Sequence, residues 1–167
     1  LVKTFNSFAK VKYQCNPSNF GYARNFLKVV SMANGRYVWL VGDDDLLMPY
    51  AIQKLLRLIK ENNNVDFFYV NAFHLSTEFV LSHPQPFQTY NLPNFMEPFS
   101  KLKGNRTLPF LDLINPKVSF DFLGGMFLSV FKKEMWDKNK DCLSSEAITD
   151  NKLFSHFDNT FPHVKIF

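Results

Sequence analysis

The sequence predicts an α/β fold in which a mostly parallel sheet is flanked by helices. Three stretches carry that reading: a continuously apolar, β-prone run at 37–41, a one-faced helical pattern at 49–61, and a second β-prone run at 65–70. A strand, a helix and a strand in that order form a β-α-β unit, which implies parallel strands and a right-handed crossover. The 167 residues, 46% hydrophobic and 20% charged, suit one domain (1–167) with a buried core and exclude disorder.

Taken in order, residues 10–15 alternate polar and apolar, as a half-buried strand does. A turn follows at 16–21. Residues 22–33 show a helical pattern with Phe26, Leu27, Val29, Val30 and Ala33 on the apolar side. Asn34-Gly35 is expected to end it, since Gly takes the left-handed conformation at a helix end without penalty. The run at 37–41 reads as a strand covered on both faces, and it leads straight into Gly42-Asp43-Asp44-Asp45.

Pro49 suits the first turn of the next helix, with Ala51, Ile52, Leu55, Leu56, Leu58 and Ile59 as its buried stripe. From 74 to 120 the periodicity dissolves into a Pro-rich insertion, with six prolines between Pro84 and Pro116. A loop of this length inside a compact domain is usually functional. Regularity returns with a strand at 126–131, a short helix at 133–136 and a last helix near 151–157.

Composition narrows the function classes. A net charge of +4, from 19 basic and 15 acidic residues without a dense basic run, gives no nucleic-acid footprint. The 20 Phe residues read as core. Cys15 and Cys142 stand far apart, in no zinc or disulfide pattern, so a reducing, cytoplasmic compartment is expected. No apolar run approaches the ~20 residues that cross a bilayer.

The chemistry concentrates at Asp43, Asp44 and Asp45. Three adjacent carboxylates repel one another, and a bound divalent cation offsets that repulsion. In an extended chain side chains alternate, so Asp43 and Asp45 are expected to face one way and Asp44 the other. Oxygen ligands favour Mg or Mn over zinc, and the C-terminal ends of strands are where open α/β sheets bind ligands. The plain alternative is an acidic turn that caps the following helix. A second alternative is a phosphohydrolase resembling the haloacid dehalogenases, with Asp43 as nucleophile and Asp45 as acid/base. Such enzymes need a second acidic pair downstream, and no Asp-Asp follows residue 45.

Residues 16–49 resemble the family-2 glycosyltransferases of the GT-A fold. The matching elements are Asn19-Phe20-Gly21-Tyr22-Ala23-Arg24-Asn25, then Ala33-Asn34-Gly35-Arg36-Tyr37, then Gly42-Asp43-Asp44-Asp45, then Pro49. The Gly-Asp-Asp-Asp form is similar to bacterial surface-polysaccharide members, including those that resemble abequosyltransferases. The resemblance implies a domain cut at both ends, lacking an N-terminal strand, helix and strand.

The resemblance also implies a nucleotide-sugar donor, a saccharide or lipid-linked acceptor, and peripheral membrane association through the missing segments, at the inner face of the membrane. Asn19, Gly21, Arg24, Asn25, Asp43 and Asp44 would bind the donor, and Asp43 and Asp45 would hold the Mg or Mn. Asp150 matches the catalytic-base position, although Thr149 replaces the family's usual Glu. Gly124 and Gly125 match the glycine loop on the acceptor side, which the insertion at 74–120 would also shape. His163 matches a late metal-binding histidine. Inversion at the transferred sugar is the expected outcome, and a non-catalytic, nucleotide-binding fragment is the alternative.

Overall fold

A computed structural model describes residues 11–114 and 125–143. They fall into two compact units, one holding the described residues 11–36 and 136–143, the other those from 37 to 135.

The first unit is built on α1, Tyr22–Met32. Ala23, Phe26 and Val30 lie on one face of the helix and are buried, while Val29, predicted on that face, is 45% exposed. Phe26 meets Trp136 with ring centroids 5.4 Å apart, and Trp136 is buried in turn. The helix ends at Met32, earlier than expected. Ala33 turns extended there and gives its N–H to the Val30 carbonyl. Asn34-Gly35 therefore does not form the left-handed stop. Residues 11–15 form no strand. Val11 and Tyr13 are exposed, and alternation without a partner strand does not hold a β-conformation.

The second unit carries the sheet. β1 is Tyr37–Trp39, α2 Ala51–Glu61, β2 Phe67–Tyr69 and α3 Thr77–Leu81. β3 is Ser129–Lys132, and α4, Lys133–Asn139, follows it directly. The strand order is β1-β3-β2. Both outer strands pair antiparallel with β3, so β1 and β2 run the same way without touching. The expected parallel pairing is thus absent among the described residues, because a later strand inserts between the two. Val130 and Phe131 of β3 are almost fully buried. The far end of the sheet is closed by Tyr37 Oη donating to the Val65 carbonyl at 2.6 Å and by the Lys132–Asp66 ion pair.

Helix α2 also departs from expectation. None of its residues is buried, and Ile52 and Leu56, placed in the buried stripe, are 52% and 60% exposed. Within the predicted irregular insertion the chain forms α3 and short 3-10 turns at Thr89–Asn91 and Phe110–Ile114. Among the described residues no helix is long and apolar enough to cross a membrane.

Ahead of β3 a 3-10 turn, Met126–Leu128, follows the buried Gly125. A Cβ on Gly125 would lie 2.7 Å from Leu128 Cδ1, and Leu128 has no exposed surface into which it could move. Gly125→Ala is expected to lower unfolding free energy by about 1–3 kcal/mol, as overpacking does, measured by urea denaturation. Ser129→Ala should act oppositely. The Ser129 hydroxyl is buried and finds no hydrogen-bond partner among the described residues, so its removal is expected to raise stability by up to ~1 kcal/mol in the same assay.

Candidate functional site

β1 delivers the chain into the acidic loop. Leu40 is buried, and then the backbone bends at Asp43 and Asp44. The Gly42 N–H donates to Asp45 Oδ2 at 2.7 Å, folding that carboxylate back over the glycine. A Cβ on Gly42 would sit 2.6 Å from Asp44 Oδ1 and 3.0 Å from Asp45 Oδ2. The carboxylates of Asp44 and Asp45 therefore close over one side of Gly42. The expected alternation, with Asp44 facing away from Asp43 and Asp45, fails because the chain is bent here rather than extended. All three aspartates line the same cleft.

Capping does not account for these residues. Tyr50 occupies the N-cap of α2 in a left-handed conformation, no side chain caps that end, and no acidic residue lies in the first turn. Asp45 instead holds the loop that precedes the helix.

The cleft has a volume of about 690 Å³, within the range of small-molecule sites. Its near wall is the acidic loop, and its far wall is built from the chain leaving β2 and the segment that returns to meet it. His74 N–H donates to the Glu97 carbonyl and Phe99 N–H to the Ala72 carbonyl, both at 2.9 Å, around the Phe73–Pro98 bridge. The Asn71 amide completes the ladder, donating to the Ser100 carbonyl and accepting from the Ser100 N–H, each at 2.9 Å. The floor is aromatic. His74 stacks on Phe99 at 4.1 Å, and Phe99 meets Phe127 edge-on at 5.6 Å. Trp39 Nε1–H donates to the Phe127 carbonyl at 2.7 Å, tying β1 to that floor.

Asp43, Asp44, Asp45 and His74 are the ionisable side chains among the described residues lining the cleft, and no Lys or Arg joins them. Among the described residues no three His, Cys, Asp or Glu side chains are grouped so that they could hold a metal ion. A Mg ion held by two of these carboxylates would have to take its remaining ligands from water and substrate oxygens.

The other predicted donor residues belong to the first unit, where they form their own network. Asn19 Oδ1 accepts from the Gly21 N–H at 2.9 Å, and Asn16 Nδ2 donates to Asn25 Oδ1 at 3.1 Å. Lys28 Nζ donates to Asn16 Oδ1 and lies 5.9 Å from the centre of the Phe20 ring. Asn19 and Asn25 thus shape the turn before α1, and Arg24 is half-buried in the first turn of the helix. Sequence reading missed Asn16 and Lys28, whose partners lie nine and twelve residues away. It also missed the aromatic floor, whose rings follow no period. Gly124, Asp150 and His163 lie outside the described residues. Gly125 is explained by its packing against Leu128.

The glycosyl transferase family 2 pattern matches residues 1–123. A 35-residue stretch, 21% of the chain, is 54% identical to abequosyltransferase RfbV of Salmonella typhimurium, of which it spans 10% of the length. No solved structure matches the chain.

Gly21 adopts φ 78°, ψ 171° at the start of α1, a region that is almost exclusive to glycine and costs other residues about 1–3 kcal/mol. Gly21→Ala is expected to destabilise the turn by that amount. A matching fall in the denaturation midpoint checks it, and an unchanged midpoint would show that the turn relaxes freely.

Proposed function

Since the chain belongs to glycosyl transferase family 2, and so to the GT-A α/β fold, we propose that it transfers a sugar from a nucleotide-diphosphate donor to a saccharide or lipid-linked hydroxyl. The three described strands would then form part of a larger, mostly parallel sheet. The short likeness to an abequosyltransferase favours surface-polysaccharide assembly and a deoxyhexose among candidate sugars. Family membership leaves the phosphohydrolase alternative without support.

The observation that carries the reading is the acidic loop, where the carboxylates of Asp44 and Asp45 lie together over Gly42 at the edge of a large cleft. A donor diphosphate brought beside Asp43, Asp44 and Asp45 meets negative charge and no Lys or Arg among the described lining residues. That repulsion needs a cation. In this reading Asp43 and Asp45 hold Mg or Mn and Asp44 belongs to the donor side, its carboxylate lying with that of Asp45 over Gly42. The bound metal supplies charge stabilisation for the departing nucleoside diphosphate.

Asp45 has a second task, since its bond to Gly42 N–H fixes the loop in which all three carboxylates stand. In the same reading Asn19, Gly21, Arg24 and Asn25 also bind the nucleotide sugar. Asp150 takes the proton from the acceptor hydroxyl as it attacks the anomeric carbon, which inverts that centre.

Titration calorimetry with UDP, GDP, CDP and dTDP, with and without Mn, tests the metal assignment. One nucleotide is expected to bind only when Mn is present, and Asp45→Asn to weaken it by about tenfold or more, roughly 1.4 kcal/mol. Gly42→Ala pushes on the flexible ends of Asp44 and Asp45, so it should weaken binding while leaving the melting temperature nearly unchanged. Binding that is indifferent to Mn and to both substitutions would overturn the assignment.

A further inference from the structure

A second groove runs along the outer side of β2. Phe67, Phe68 and Tyr69 all line it. Successive strand residues point to opposite faces, so three in a row meet one cavity only at the strand's edge, and β2 is an outer strand of the described sheet. The end of α2 and its cap close one side with Leu58 and Asn62, and the chain from 100 to 108 forms the other. The volume is about 370 Å³, at the small end of ligand sites.

Polar groups on the two sides are used differently. On the side of α2 and β2 they serve the fold. Asn62 gives its amide to the Leu58 carbonyl at 2.9 Å, and Asn71 is held in its paired bonds with Ser100. On the opposite side Gly104, at φ 74°, bends the chain although a Cβ there would meet nothing within 4 Å. Asn105, Arg106 and Thr107 follow that bend and line the groove. Their side chains form no hydrogen bond or ion pair among the described residues.

Charge identifies the class of ligand. Arg106 is the one charged side chain among the described lining residues, and no carboxylate there opposes it. Lys101 and Lys103, exposed just before it, are likewise without an ion pair among the described residues. An open guanidinium fork matches a carboxylate or phosphate in two parallel bonds. The Asn105 amide and Thr107 hydroxyl beside it match sugar hydroxyls. Leu102 and Leu108, 37% and 40% exposed on the same side, offer apolar contact to a sugar's C–H face. Asn71 lines both the groove and the acidic cleft, so a saccharide acceptor in the cleft has the groove beside it. We propose that the groove binds an anionic sugar of the acceptor, a uronate or a sugar phosphate, with Arg106 on its anion. The sugar rests on the glycosyl-transfer reading, and the anion rests on the groove alone.

Amide chemical-shift titration of the 167-residue chain with glucuronate, glucose 6-phosphate, inorganic phosphate and glucose, without divalent metal, tests it. Glucuronate or glucose 6-phosphate is expected to shift the amides of 100–108 and 67–69 and to leave those of 42–48 in place. The tighter binder of the two identifies the anion. Arg106→Gln should weaken binding by about tenfold or more, and high salt should weaken it too. A melt should confirm that the variant folds, and its Mn-dependent nucleotide binding should be unchanged. Glucose binding as well as the anions overturns the proposal, as does equal binding by Arg106→Gln or no shift with any probe. Inorganic phosphate binding as tightly as the sugar anions would overturn the sugar and keep the anion. Nucleotide titration of the same sample reads the transfer assignment without the groove, so the two failures are told apart.

Discussion

The pairing of β3 with two strands at once is the constraint on which the described site depends. Phe131 stands opposite Val38 on one side and Phe67 on the other, and Val130 opposite Trp39 and Phe68. With both β3 residues almost fully buried, a slip of one position would turn this apolar pair away from its place and is strongly disfavoured. The register also sets where the chain emerges. Trp39 and Tyr69, the last residues of β1 and β2, lie opposite Val130 and Ser129, at the end of β3 where the Met126–Leu128 turn arrives. The acidic loop, the 70–75 segment and Phe127 are brought to one edge of the sheet for that reason.

Two bonds turn this coincidence into a wall. Trp39 reaches the Phe127 carbonyl, and the Val70 N–H reaches the Leu128 carbonyl at 2.8 Å. Each attaches a strand exit to the same short turn, whose own shape depends on a glycine at 125. Gly42 plays the matching part on the acidic side, since the carboxylates of Asp44 and Asp45 occupy the space a side chain would take. Both glycines are explained by close approach. Neither has the positive φ seen at Gly21 and Gly104.

Local patterns made much of this legible. Helix periodicity located α1 and α2, β-prone runs located β1 and β2, and the Gly-Asp-Asp-Asp sequence located one wall of the cleft. What the sequence did not disclose is long-range. Nothing in residues 37–70 indicates that Ser129–Lys132 will insert between β1 and β2, because antiparallel insertion leaves each strand's own pattern unchanged. The alternation assumed for the aspartates failed for a local reason, a backbone bend stabilised by Asp45 itself. The buried stripe assigned to α2 failed for another, since an amphipathic pattern shows that a helix has an apolar face but not what covers it.

The 70–100 region shows why composition hid the far wall. A Pro-rich stretch cannot form a regular ladder, because each proline removes a backbone donor. Here side chains supply the missing connections. Asn71 substitutes for a backbone unit in its paired bonds with Ser100, and Gln85 donates to the Val80 and His83 carbonyls while accepting from the Phe87 N–H. Those amides line the cleft, yet they are engaged in holding its wall. The cleft consequently offers a ligand two unlike ends: carboxylates on the near side, and on the far side aromatic and aliphatic surface with much of its amide polarity already committed. The polarity of the site thus follows from how an irregular segment satisfies its own backbone.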